Sequence, residues 1–150
     1  MKDVLARYSV ALHGGDPQVG RQLFRLNSEM QCAKCHALKA ADSQVGPSLE
    51  GIGKRQDREY LLQSIVEPSA KIVRGYGTVN ILLVNGNSVQ GVVTQESEKE
   101  LTIRLPDGSH QTISRQEVEA QSTPSSTMPE FKDKLTLRQI RDLVAFLKTL

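Results

Sequence analysis

MQCAKCHALK, residues 30–39, holds both cysteines of a chain of 150 residues, Cys32 and Cys35, with His36 directly behind the second. Two thiols and an imidazole this close together are a set of strong donor groups. What they hold decides what the rest of the chain must fold around.

Three chemistries use such a set. A closed zinc site needs four ligands, and one C-x-x-C supplies two. No second cysteine pair exists, and His13 and His110 do not stand at the H-x(3–5)-H spacing. A dithiol redox site is expected where a strand runs into a helix. Here a helical pattern precedes the motif and no strand does. C-x-x-C-H is the attachment sequence of c-type haem, and the spacing has a physical reason. Residues i and i+3 of a helical turn project from one face, so both sulfurs can form thioethers along one porphyrin edge while His36 turns toward the iron. The bland alternative is two buried thiols beside a satisfied histidine.

Composition agrees with a missing large ring. The chain is 38% hydrophobic and 24% charged, with three Tyr, three Phe and no Trp. A net charge of +2 is too small to suggest nucleic acid. No apolar run reaches the length of a membrane span.

Outward from the motif, periodicity divides the chain. Before it, Asp16 is a candidate N-cap and Pro17 fits the first helical position. Val19, Leu23, Phe24 and Met30 then supply an apolar side. After it, VGPSLEGIGKR (45–55) reads as a Gly/Pro loop. DREYLLQSIVEP (57–68) reads as a helix capped by Asp57 and stopped near Pro68. LTLRQIRDLVAFLKTL at the C-terminus is the clearest helix. Thr136 and Gln139 form a capping-box pair, and Leu137, Ile140, Leu143, Val144 and Leu147 make a stripe. Val4, Leu5, Tyr8 and Leu12 also fall at helical spacing, without a signal-peptide pattern.

Between these helical parts the pattern alternates. Val79, Ile81 and Leu83 lead to Asn85-Gly86, and Leu101, Ile103 and Leu105 lead to Asp107-Gly108. Each reads as a hairpin, with positive φ expected at both central residues of Asn-Gly. Ser114 to Glu117 can cap one helical turn. STPSSTMPE (122–130) reads as loop. The expectation is a small four-stranded antiparallel β unit, closing as an SH3-like barrel if it has no free edges. Residues 73–127 carry four basic and six acidic groups, while 16–72 with 128–150 carry thirteen and ten.

With these segments in order, the chain resembles class I cytochrome c. GRQLF is similar to the family's first helix, CAKCH to its haem site, GPSLEGIGKR to its proline loop, and LTLRQIRDLVAFL to its last helix. STMPEF is similar to the loop carrying the axial methionine. The β unit is the departure, because the family normally reaches that loop by a short stretch. With it, residues 14–150 resemble the bacterial C-terminal haem-binding domain of the Pirellula/Verrucomicrobium type, often attached to dehydrogenase-like proteins.

The resemblance implies a mainly α haem fold of three to four helices with the β insertion, α+β overall. It implies a haem unit of residues 16–72 plus 128–150 and an insertion of 73–127. Residues 1–15 would then be a linker helix or the remnant of a preceding domain. One covalent haem c would be held by Cys32 and Cys35. His36 would bind the iron, its other ring nitrogen bonded to the Pro47 carbonyl, and Met128 would be the sixth ligand. Tyr60 could bond a haem propionate or simply pack. Phe146 would pack near Gly20. Bis-His ligation through His110, or an open sixth position suited to catalysis or gas sensing, stays as an alternative. Electron transfer is the expected function, with a redox protein or dehydrogenase domain as partner. The insertion would dock a partner, form a homodimer or screen the haem. Because thioether attachment follows export in bacteria, the periplasm is the expected location.

Overall fold

The computed structural model describes residues 2–39 and 45–150. Met1, the side chains of residues 2–4 and residues 40–44 lie outside the described residues, and with them the Val4 position of the N-terminal helical pattern. The chain divides into two compact units, Met1–Lys71 with Met128–Leu150, and Ile72–Thr127.

The first unit is helical. Its α-helices are α1 (Lys2–Arg7), α2 (Pro17–Leu26), α3 (Cys32–Cys35), α4 (Ile52–Arg55), α5 (Arg58–Val66) and α6 (Leu137–Leu147). Asp16 starts α2 by accepting from the N–H groups of Gln18 at 2.8 Å and Val19 at 3.3 Å. Pro17 occupies the first turn, where no N–H is needed. Asp57 caps α5 through the Tyr60 N–H at 2.8 Å. At α6, the Gln139 N–H donates to Thr136 Oγ1 and the Thr136 N–H donates to Gln139 Oε1, so two otherwise orphaned donors are satisfied together.

Helices α2 and α6 form the most extensive helix pair. Gly20 makes this possible, since a Cβ there would lie 2.0 Å from the Asp142 carbonyl oxygen and 2.8 Å from Phe146 Cβ. One helical turn on, the rings of Phe24 and Phe146 meet with centroids 5.6 Å apart. Asp142 is buried in this seam, where it accepts the Asp16 N–H at 2.8 Å. Helix α2 stops at Leu26, so Met30 is not on its apolar side. It is buried in the following turn instead.

The N-terminal segment belongs to this core as well. After α1, a 3-10 turn at Ser9–Ala11 places Tyr8 and Ala11 in the same apolar cluster as Phe24, Leu62 and Val144. The Gly/Pro stretch 45–55 also contains one turn of helix, α4, begun by Gly51.

The second unit is one open antiparallel sheet of six strands. These are β1 (Gly77–Leu83), β2 (Ser88–Glu96), β3 (Glu100–Arg104), β4 (His110–Ser114), β5 (Val118–Gln121) and β6 (Ser125–Ser126). The spatial order is β4-β3-β2-β1-β5, with β6 also on β1. The expected four strands are therefore six, and the sheet is not closed into a barrel. After the fourth strand, a 3-10 turn capped by Ser114 and Glu117 returns the chain to the free side of β1. There Val118–Gln121 and then Ser125–Ser126 pair in succession. Val79, Ile81, Leu101, Ile103 and Ile113 form this unit's own core.

Both hairpin turns differ from the expected form. Only Gly86 and Gly108 have positive φ, 84° and 85°, while Asn85 and Asp107 do not. The N–H of Gly86 donates to Leu83 O, and that of Gly108 to Leu105 O, both at 2.9 Å. Each turn is thus one residue longer, with the glycine in the left-handed position that follows a type I turn. Asn85 and Asp107 contribute through their side chains, which accept from the backbone N–H two residues on at 2.9 Å.

Candidate functional site

The local backbone before Cys32 is specified by two side chains. Asn27 ends α2, and its Oδ1 accepts from the N–H groups of Glu29 at 2.9 Å and Met30 at 3.0 Å. Gln31 then sits at φ 50°, the one non-glycine residue with positive φ among the described residues. Its side-chain amide is tied to Ser28 O at 2.8 Å, which helps hold this less favourable backbone state. The chain is thereby redirected from α2 into the single turn α3.

Within α3, Cys32 and Cys35 carry thiols rather than a disulfide, and both are half-buried. Burial raises the Cys32 thiol pKa above its ordinary value, with a smaller contribution from Cys35 in the same direction. His36 closes the turn with its N–H on Cys32 O at 3.0 Å and leaves in an extended conformation.

The imidazole is oriented from the other side. His36 Nδ1 lies 2.8 Å from the carbonyl oxygen of Pro47. A carbonyl only accepts, so Nδ1 carries the proton and the Nε2 lone pair is the one available to a metal. The Pro47 loop is held alongside by the Leu49 N–H on Ala37 O at 2.8 Å and by Ser48 Oγ on Lys39 O at 3.0 Å. Gly46 lies so close that an added Cβ would be 2.8 Å from Cys35 O and 3.0 Å from His36 Cε1.

The remaining candidates border the same apolar cluster. Cys32, Tyr60 and Met128 are each partly buried against it, together with Leu38 and Leu49. The Tyr60 ring also lies under the Lys71 ammonium, 5.7 Å from its centroid. Met128 is the first residue of the helical unit after the β unit. His13 and His110 are both exposed, and His110 begins β4 of the other unit.

These residues fit a haem better than zinc. Among the described residues, no three His, Cys, Asp or Glu side chains converge as a metal-binding group. Cys32, Cys35 and His36 thus do not aim at one point, although they adjoin in sequence. A cavity of about 400 Å³ lies beside His36, lined by Phe24, Arg25, Ala33, Ala37, Leu38 and Lys39. Of the residues expected to hold the haem, His36 alone borders it.

The resemblance implied the Pro47 contact, and sequence reasoning found the motif. It missed Gln31, because a left-handed glutamine has no composition signal, and it missed the burial of Tyr8. The helical spacing of Leu5, Tyr8 and Leu12 was the available sign of the latter.

No family model matches the chain. It is 36% identical over 52 residues to a cytochrome c-553-like protein of Synechocystis sp., a match covering 35% of this chain and 45% of that protein. The chain thus spans less than half the length of this curated relative. The partial similarity and the Cys32/Cys35 spacing point to a c-type cytochrome with covalent haem, and to electron transfer in general.

Proposed function

We propose that the helical unit is a one-electron carrier with a single haem c, attached through Cys32 and Cys35 and ligated by His36 and Met128. The observation that carries this reading is the 2.8 Å contact between His36 Nδ1 and the Pro47 carbonyl. It fixes the tautomer that presents Nε2 as a neutral ligand, which an unligated surface histidine would not require.

The haem supplies a reversible Fe(III)/Fe(II) couple, and a His/Met pair favours the reduced state relative to bis-His. The chain's own residues do the rest. Cys32 and Cys35 fix one edge of the ring through a single helical turn. Pro47 holds the imidazole. Met128, a half-buried soft thioether, would supply the second ligand and keep a substrate from the iron. The apolar cluster beneath Leu38, Leu49 and Tyr60 keeps water from the group.

The electron donor in this reading is a dehydrogenase, either separate or in the same polypeptide, where tethering raises its effective concentration. Thioether formation after export places the mature protein in the periplasm. A test needs the protein matured in a host that attaches haem. A pyridine haemochrome spectrum of the c type and a mass increase of one haem are expected. Met128→Ala should abolish the ferric methionine–iron charge-transfer band, open the ferrous iron to carbon monoxide and lower the potential. A colourless product at the bare polypeptide mass overturns the haem assignment, and an unchanged band in Met128→Ala overturns the ligand assignment.

A further inference from the structure

The electron-carrier reading leaves the N-terminal segment without a task, yet it is tied into the core at three places. The Tyr8 side chain is 3% exposed, and its hydroxyl donates to Lys132 O at 2.6 Å. Arg58 of α5 reaches back with Nη1 to Leu12 O at 3.1 Å and Gly14 O at 3.3 Å. The Asp16 N–H meets Asp142 of α6.

The first of these attachments falls on the segment that carries Met128. From Met128 the chain runs to Phe131, whose N–H donates to Ile65 O of α5 at 3.2 Å, and then to Lys132. Beyond it, the Leu135 N–H returns to Phe131 O at 3.2 Å. The Arg7–Asp133 pair, 3.7 Å apart and exposed on both sides, adds little. The hydroxyl of Tyr8 is thus a directional tie between this segment and the core, beside the buried side chains of Phe131 and Leu135.

We propose that Tyr8 is a positioning residue for Met128: the N-terminal strap, anchored by Arg58 and pressed in through Tyr8, holds residues 128–135 in the conformation that keeps the methionine on the iron. This rests on the reading of Met128 as sixth ligand. A ligand carried on a loop leaves the metal as often as the loop opens, and the opening equilibrium depends on the loop's own attachments. Removing the hydroxyl leaves the part-buried Lys132 carbonyl against a phenyl ring without that donor. The strap thus sets how readily the sixth position can be taken by another ligand, without touching the iron.

The test uses the haem-loaded protein and imidazole as probe. Imidazole binds only when Met128 is off, so its apparent affinity for the ferric protein reports the fraction in that state. Tyr8→Phe keeps the ring and removes only the hydroxyl. Its charge-transfer band without imidazole should match the parent's, and its apparent imidazole affinity should rise about threefold to tenfold, the range expected for one lost hydrogen bond. Arg58→Gln loosens the other end of the strap without emptying the core, and should shift the affinity in the same direction. If Tyr8→Phe does not mature, the Arg58→Gln titration decides between the two outcomes. Titrations that superimpose on the parent's, while Met128→Ala still abolishes the band, overturn the role of Tyr8 and leave the ligand assignment standing. A band that survives Met128→Ala overturns both.

Discussion

The ring N–H of His36 reaches the carbonyl of Pro47 across eleven positions of chain, at 2.8 Å, and Gly46 is the residue that lets the two strands of the loop come this close. A side chain at 46 would press on the Cys35 carbonyl and on the imidazole itself. Gly46→Ala is expected to displace the ring and destabilise the haem-loaded protein by about 1–3 kcal/mol, as overpacking does. The measurements are the denaturant midpoint followed at the haem band and the reduction potential, both of which should fall.

A second close approach joins α2 to α6. Gly20→Ala places a carbon 2.0 Å from the Asp142 carbonyl oxygen. Backbone cannot rotate away, so the helices must separate and the Phe24–Phe146 contact must loosen. Roughly 3 kcal/mol of stability should be lost, at the upper end of ordinary overpacking. Urea unfolding followed by far-ultraviolet circular dichroism measures it.

The β unit has its own core and should answer to its own substitutions. Ile103 is fully buried between Val79, Ile81 and Ile113. Ile103→Ala should cost about 2–5 kcal/mol through lost burial and the cavity left behind. Hydrogen exchange at the amides of β2 and β3 is the local readout, and faster exchange there is the expected result.

Before haem is attached, Cys32 should ionise less readily in the folded chain than in the unfolded one, because burial raises its pKa. The folded chain then holds this proton longer as pH rises. Its contribution to stability is complete below the ordinary thiol value of 9.0 and is lost as pH climbs through the raised one. Iodoacetamide labelling of Cys32 in the haem-free chain at pH 8 should be slower without denaturant than with it.

Much of this was legible in the residues because it is local. Asp16, Asp57 and Thr136 cap helices through atoms two or three positions away, and Gly86 and Gly108 mark turns that need positive φ. The Cys32, Cys35 and His36 spacing is equally short-range. What escaped depends on partners distant in sequence. VEAQ (118–121) alternates over only four residues, too few to mark a strand, and becomes β5 by pairing along the open side of β1. Ser125–Ser126 is too short for any pattern. Tyr8 reads as one more apolar helix position until its hydroxyl meets a carbonyl 124 positions away.

β6 lies on the beginning of β1, with Gly77 opposite Ser126 and Thr78 opposite Ser125. The inserted unit therefore closes on itself near its own two ends, which leave from neighbouring strands about 5 Å apart. A long unstructured excursion would make the return of residue 128 an entropic search that grows with contour length. Once the sheet has formed, that length is hidden, and the helices meet the methionine segment as if across a short turn. The sheet serves assembly as a splint, and its cooperative formation spares residue 128 that search.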